Sequence, residues 1–550
     1  MKRALIALAL GVLALAYAGA DEMSASDKLR ILYSHQFTFT RDGLPLVTVE
    51  LESGQTEVKL AAEGGLRVLP DGDGGPEVVA GPSWTVTAEA TRPATIAWWV
   101  IVSRQTTDAD LALWRQRGYQ PRSFETGIVF GVEGDVLDSR ETLLGVTSAA
   151  DAAAAQRAAD ELASKWKVET SLFPELAARP EGVIVAREDK SGTVVRNSDV
   201  LWFAPARADG LVTVADVAFG GGGAKAEDKR ETRRYHGRVY VTLGSDGKLT
   251  VVNAVAEDQL LAGLVPAEIY SDAPADALRA QAVAARDELL ARIGTRHHED
   301  PFLLCSSQHC QVYAGADSED ARTSRAVADT RGEVLLRDGG GGLVPAYYSA
   351  CCGGHGESNE NVWGTAADPS LRGSLDALGA GAQALAAFSP SVTEANVADF
   401  LAAPAEGAFC GGTKYSKGRY RWSVRLTAAE LDRLVAASYP TVGAVRELTP
   451  AARGVSGRVT ELRIVGAKGK ATVSGELTIR RLLGGLKSSL MVIRPEKSGA
   501  AVTAWVIDGA GFGHGVGMCQ LGAIGMAQAK YGYQQILGHY YPGSHVRKLY

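Results

Sequence analysis

The chain reads as a multidomain α+β protein, with mixed sheets and short helices in its C-terminal part and a β-α-β-β-α-β module ahead of it. Three observations carry that reading. Between residues 97 and 173 the segments AWWVIVSRQ, TDADLALWRQRG, ETGIVFGVEGD, ETLLGVTS, DAAAAQRAADELASKW and VETSLF alternate strand and helix periods, in the order of a ferredoxin-like unit. After Pro274 a run of strong helix formers continues to Arg292, and Pro suits a helix start because its missing N–H has no partner there anyway. From Gly509 to Gly517 glycine stands at every second position before the pattern turns helical.

Taken in order, Met1 to Ala20 has Lys2 and Arg3, an apolar stretch from Ala4 to Ala16 and small residues at Ala16, Ala18 and Ala20. That is the layout of a cleaved secretory signal. The apolar run is shorter than the roughly 20 residues a membrane span needs, so no stable span is expected. Residues 21–94 form a β-rich region: Leu29 to His35 and the alternation in LPLVTVELESGQTEVKLAAEGGLRVL read as strands, closed by an Asp-Gly-rich turn at Asp71 to Gly75. Residues 95–175 are the ferredoxin-like module. Residues 176–232 hold strands and a linker, because Phe219 to Arg234 opens with four glycines and is then densely charged. Gly339 to Gly342 reads as a second such loop, at a hairpin. Residues 233–550 make up the last domain.

Apolar residues at 46% and charged ones at 22% are ordinary globular composition. The net charge of -6 argues against nucleic acid, since neutralising phosphates needs a basic surface. Six cysteines suit an oxidising compartment but are too few for a disulfide scaffold in a chain of 550 residues.

Alternating glycines let backbone approach a ligand closely, and His514 stands among them without neighbours to shield it. The same glycines fail as a P-loop, because Met518 and Cys519 follow where Lys-Ser/Thr is required. They fail as a dinucleotide fingerprint too, since no βαβ unit with a later acidic residue follows. Glu268 lies in the apolar setting LVPAEIY. Such surroundings disfavour the charged carboxyl and let it hold a proton near neutral pH, which suits a general acid. Tyr347, Tyr348, Ser349, Asn361 and Trp363 combine flat apolar faces with hydroxyl and amide groups, the types that stack on and hydrogen-bond to sugars. Of the two tyrosines one is expected in the core, because strand neighbours face opposite ways. His297, His298, Cys305, His309 and Cys310 gather zinc-competent groups within 14 residues of one another. A Cys305 to Cys310 disulfide is the rival.

Four ordered blocks carry a resemblance: GRVYVTLGSDGKLTVVNAVAEDQLLAGLVPAEIYSDAPADALRAQAVAARDELLAR from Gly237, HCQVYAG from His309, YYSACCGGHGESNENVW from Tyr347, and GHGVGMCQLGAIGMAQAKYGYQQILGHYYPGSH from Gly513. Over about residues 233–545 the chain resembles the stage II sporulation protein D, or amidase-enhancer, family. Residues 96–172 are similar in element order to a sporulation-related repeat that binds peptide-stripped glycan.

The resemblance implies a peptidoglycan lytic transglycosylase in which Glu268 is the catalytic acid and base. It implies substrate contacts from Tyr348, Ser349, Gly353, Gly354, Asn361 and Trp363, with His514 and Gln520 on the facing wall. It also implies structural Zn²⁺ on Cys305, His309, Cys310 and one upstream histidine, His298 or His297, and no organic cofactor. Partners are then glycan strands and, in the enhancer members, a cell-wall amidase that the protein stimulates without cutting glycan itself. A plain structural or adhesive envelope protein is the third class, and it would leave Glu268 dispensable. Hydrolysis stays open while Glu257, Glu357 or Glu360 could face Glu268 across a cleft. Cys352 and Cys519 stand where relatives usually have Ser, and Asp287 and Glu288 where they have Thr-Tyr. Cys352 could pair with Cys410 or Cys519.

Overall fold

The computed structural model describes residues 32–33, 38–40, 42–70, 76–132, 135–218, 230–307, 309–340, 342–499 and 501–550. The expected leader, most of the segment at 29–35, the turn at 71–75 and the glycine tract at 220–223 lie outside them. Helices and several sheets make the molecule mixed α+β. Among the described residues no helix is long and apolar enough to cross a membrane.

An eight-stranded sheet runs in the order 38–39, 45–55, 249–256, 238–243, 200–205, 66–69 and 78–80, with Leu304–Cys305 pairing parallel to Pro45–Gln55. A six-stranded sheet runs 194–198, 181–188, 83–92, 57–61, 212–218 and 230–235. Period-two alternation in Pro45–Gln55 buries Val47, Val49 and Leu51. They join one core with Leu60, Trp84 and Phe203, in which the Trp84 and Phe203 rings meet edge-on at 6.5 Å.

Two expectations are corrected here. The charged segment after the glycines is no linker at 230–234, since Arg230–Tyr235 is a strand paired with Val212–Ala218. Arg233 and Tyr235 are buried on it while Thr232 and Arg234 are exposed, so alternation rather than charge density decides its fate. Nor does a boundary near 233 separate the sheets. Leu249–Ala256 is buried on both sides and hydrogen-bonds to Pro45–Gln55, because an apolar strand needs neighbours on both edges as well as both faces.

Residues 95–178 contribute a four-stranded antiparallel sheet, ordered 171–178, 95–103, 141–149 and 122–126. Helices Asp108–Gln116 and Ala152–Trp166 accompany it, started by a Thr107/Asp110 capping box and an Asp151 cap. Val100, Trp114, Leu144, Val146 and Leu162 form its own core.

Helix Ala275–Arg292, with Pro274 as its cap, is buried around most of its circumference. Its alanines let helices Ala321–Asp329, Gln520–Gln528 and Tyr533–Tyr540 pack directly upon it. Helix Glu257–Glu268 packs there as well. C-terminal strands 421–427, 491–498 and 501–510 form one three-stranded sheet and strands 445–453, 459–466 and 470–474 another. Strand Tyr348–Ser349 pairs parallel with Met518–Cys519, which brings two of the sequence blocks side by side.

Candidate functional site

Helix Glu257–Glu268 buries Leu260, Leu261, Leu264 and Val265 and ends at Glu268 itself. One edge of the Glu268 carboxyl accepts the Val312 N–H at 3.3 Å. Its carbonyl accepts the Gln520 amide at 2.9 Å, and the same amide donates to Gln281 Oε1 at 3.1 Å. Gln520 therefore ties the C-terminal helix to the Glu268 backbone rather than standing free as a ligand. Burial pushes the Glu268 carboxyl up to about 7, with the Glu288 charge adding to the rise; the Val312 hydrogen bond and the Arg292 charge oppose it. The carboxyl is thus partly protonated at neutral pH.

Arg292, whose charge acts on Glu268, links it to a row of rings. Tyr347 meets Trp363 at 4.6 Å between ring centroids, Trp363 meets His514 at 5.2 Å, and the Arg292 guanidinium lies 6.0 Å from the Tyr347 ring. Trp363 is 43% exposed, so the row opens to solvent at that ring. The Tyr348 hydroxyl reaches Gln311 Oε1 at 3.4 Å. Ser349 is buried with a hydroxyl that has no hydrogen-bond partner among the described residues.

The glycines serve the protein more than a ligand. Gly511, Gly513, Gly515 and Gly517 have φ values of 80, 102, 79 and 67°, which side-chain-bearing residues adopt at a cost. A Cβ on Gly517 would collide with the Tyr347 carbonyl, and one on Gly515 would sit 2.5 Å from the guanidinium carbon of Arg458. Arg458 is fully buried and donates to Ser456 Oγ at 3.0 Å and the Cys352 carbonyl at 3.1 Å. His514 is accordingly not unshielded. Its Nδ1 accepts the Val516 N–H at 3.1 Å, and burial, helped by Arg458, pushes it down to about 3. It is a neutral imidazole at physiological pH.

Three expected contacts turn inward. Asn361 donates to Glu357 Oε1 at 2.8 Å. Gly353, whose carbonyl accepts from Arg421 at 2.9 Å, and Gly354, against Phe400 and Tyr420, are buried loop positions. Both have positive φ, at 80 and 104°, so their glycine identity answers to backbone shape. The candidate second carboxylates are likewise committed. Glu257 pairs with Arg286 at 2.5 Å with both side chains fully buried. Glu357 accepts from Ser358, Asn361, Val455 and Ser456, and Glu360 pairs with Arg372. Sequence reasoning missed Glu288 and Arg292, an i,i+4 ion pair on the buried helix, and the Gln311 amide. The four-residue spacing was their only signal.

Next to Arg292, which donates to the carbonyls of His309 and Cys310, His297, Cys305, His309 and Cys310 bring their ligand atoms within 4.8 Å of one another. His297 Nε2 is 3.2 Å from Cys310 Sγ, and His309 Nδ1 is 3.5 Å from Cys305 Sγ. Asp300 holds His297 Nδ1 at 3.0 Å, which fixes the tautomer that leaves Nε2 free to ligate. The donor types fit zinc, but Cys305 Sγ lies only 2.6 Å from Cys310 Sγ, closer than two thiolates on one tetrahedral ion stand, so the thiols must part to bind a metal and the disulfide remains the rival reading. His298 belongs elsewhere: its ring packs on Phe173 at 4.9 Å. The left-handed φ of 58° at His297 turns the two neighbours apart.

A family model described as a stage II sporulation protein matches residues 245–336, and one described as a domain of unknown function matches 357–517. An uncharacterized protein of Brachyspira hyodysenteriae is 29% identical over 295 residues, 54% of this chain and 67% of that protein. The amidase enhancer of Bacillus subtilis is 26% identical over 307 residues, 52% of this chain and 40% of that one. The match therefore spans two fifths of the enhancer's length. A solved structure from Burkholderia pseudomallei K96243 aligns over 40% of this chain and 46% of its own, at 14% identity and a TM-score of 0.16, too low to carry an argument about fold.

Proposed function

The chain belongs to the stage II sporulation protein D and amidase-enhancer family, and on that premise we propose that it is a lytic transglycosylase of peptidoglycan glycan strands, with Glu268 as acid and base. One observation carries the reading: a carboxyl raised to about 7, whose charge acts on Tyr348, stands alone, because the carboxylates expected as its partner are held by other residues. A single acid that works twice needs no second carboxylate.

In that mechanism the protonated Glu268 gives its proton to the glycosidic oxygen after N-acetylmuramic acid, and the bond to C1 breaks. The carboxylate so formed takes the proton of the sugar's own 6-hydroxyl as that oxygen closes on C1. The products are a 1,6-anhydro end and a free 4-hydroxyl, with no water consumed. Arg292, held by Glu288 and by the carbonyls of His309 and Cys310 at 2.6 and 2.8 Å, steadies the carboxylate half of the cycle. Zinc on His297, Cys305, His309 and Cys310 would brace the same loop, with all four ligands from protein and no open position for chemistry.

We read the four-stranded module at 95–178 as the ferredoxin-like unit and assign it a glycan-tethering role. A groove lined by Arg122, Phe173, Glu175, Arg179 and His298 on its surface offers the stacking and charged groups that sugars take. Action at the cell wall requires export, for which residues 1–20 have the sequence layout of a leader. A second reading, stimulation of an N-acetylmuramoyl-L-alanine amidase without glycan cleavage, is favoured by the name of the Bacillus subtilis relative.

Mass spectrometry of digested peptidoglycan separates the readings. Anhydro ends from the native protein and none from Glu268→Gln are expected. Reducing ends would mean that water attacks and that a second carboxylate operates. No released sugar, with a faster added amidase, would replace the transglycosylase by the enhancer.

A further inference from the structure

A second thiolate cluster lies apart from the zinc-competent one. Cys352, Asp376, Cys410 and Cys519 come from four separate stretches of chain, yet their ligand atoms all fall within 4.8 Å of one another. All four are essentially without solvent exposure, at 2, 1, 0 and 1%, and no disulfide links them. We propose that they form a closed structural metal site for zinc, with three thiolate ligands and one carboxylate.

The geometry is that of a tetrahedron's edge. With zinc-sulfur bonds of about 2.3 Å, two tetrahedral thiolates stand about 3.8 Å apart, and Cys352 Sγ lies 3.7 Å from Cys410 Sγ. The surroundings are built for anionic ligands. Cys519 Sγ accepts the Cys352 N–H at 3.1 Å and the Gly522 N–H at 3.3 Å, as the cap of helix Gln520–Gln528; a helix N-terminus stabilises a thiolate. Asp376 takes the Tyr540 hydroxyl on Oδ1 at 2.6 Å and the Cys410 N–H on Oδ2 at 2.9 Å. These bonds orient the carboxylate as outer-sphere partners orient metal ligands. Three sulfurs select zinc over calcium or magnesium.

A buried carboxylate among three thiols is otherwise expensive, and a divalent cation neutralises it. The site would clamp the strand Met518–Cys519 and the glycine run to the loop after Ser349. Gln520, the residue after Cys519, is thereby fixed against the Glu268 carbonyl. The inference stands whether the glycan reaction is cleavage or not.

The test is metal content of the full-length protein purified without chelator. Two zinc ions per chain are expected. Cys305→Ser/Cys310→Ser should keep one, and adding Cys410→Ser should remove it. Asp376→Asn should hold it more weakly against a competing chelator, by at least tenfold in affinity. If the variants fold poorly, Co²⁺ replacement in the native chain decides the matter: thiolate-to-cobalt absorption should match five sulfur bonds over two sites, not two over one. One zinc lost with Cys410→Ser but kept in Cys305→Ser/Cys310→Ser would support this site and remove the first. Metal lost only with Cys305 and Cys310, or a disulfide among Cys351, Cys352, Cys410 and Cys519 in peptide maps of the native protein, would overturn the proposal.

Discussion

Replacing Glu268 by glutamine should make the protein more stable while abolishing its chemistry. The carboxyl is pushed from its ordinary 4.5 to about 7 by burial. At about 1.36 kcal/mol per pH unit that difference comes to about 3 kcal/mol of penalty on the charged form. Partial exposure on the open side screens some of it, leaving about 2 kcal/mol. The sign follows from the direction. A raised carboxyl favours the folded state below pH 4.5, where both states are protonated, and that contribution is lost as pH rises through about 7. Glu268→Gln, neutral throughout, should match the native protein at pH 4.5 and exceed it by about 2 kcal/mol at pH 8. Urea unfolding from pH 4.5 to 8, read as a shift in midpoint at constant slope, measures this. Parallel curves for the two proteins across that range would refute the burial argument, and with it the claim that Glu268 carries a proton at neutral pH. If the argument holds, native activity should fall above pH 7 as the acid form disappears.

Two further outcomes are expected. His297→Ala should release one zinc and lower the melting temperature and activity together, whereas His298→Ala should do neither to the metal; elemental analysis and calorimetry on both variants decide which histidine ligates. Glu257→Gln should destabilise by about 3–5 kcal/mol, because it leaves Arg286 charged and unpaired in the interior, while a Glu257→Leu/Arg286→Met pair should recover most of that loss in denaturant titrations.

Much of the site was legible because it depends on local chemistry. LVPAEIY announced a carboxyl in apolar surroundings, and the Tyr347 and Trp363 rings do meet, although His514, expected on the facing wall, joins Trp363 on the same side. What escaped was set by partners distant in sequence. Nothing near Gly515 says that Arg458 will occupy the space a side chain would need. Asn361 looks like a sugar ligand until Glu357, itself held by Val455 and Ser456, is seen to claim it. His297 and His298 are equivalent as letters, and a single positive φ separates their roles. The alternation from Leu44 to Leu69 does form strands, whereas Leu32 and Tyr33, read as part of one, are helix and turn; even where the reading holds, a strand's alternation says which face is buried and nothing about which strand lies beside it.

That last pairing has a consequence for the order of folding events. Gln55 and Leu249 are register partners at one end of the junction, so the ribosome releases one strand long before the other exists. Closing a loop of roughly 200 residues costs on the order of 5 kcal/mol in chain entropy, which the helices packed on 275–292 must offset before the sheet can zip. Until then Pro45–Gln55 is an apolar strand with unpaired edges, the kind of segment that recruits other chains. A fragment begun at residue 233 would carry the reciprocal defect, Leu249–Ala256 with one edge bare and Cys305 without the strand it leans on. The Glu268 carboxyl therefore depends on residues synthesised in the first tenth of the chain, and domain dissection at the apparent family boundary would yield an aggregating piece instead of a smaller folded domain.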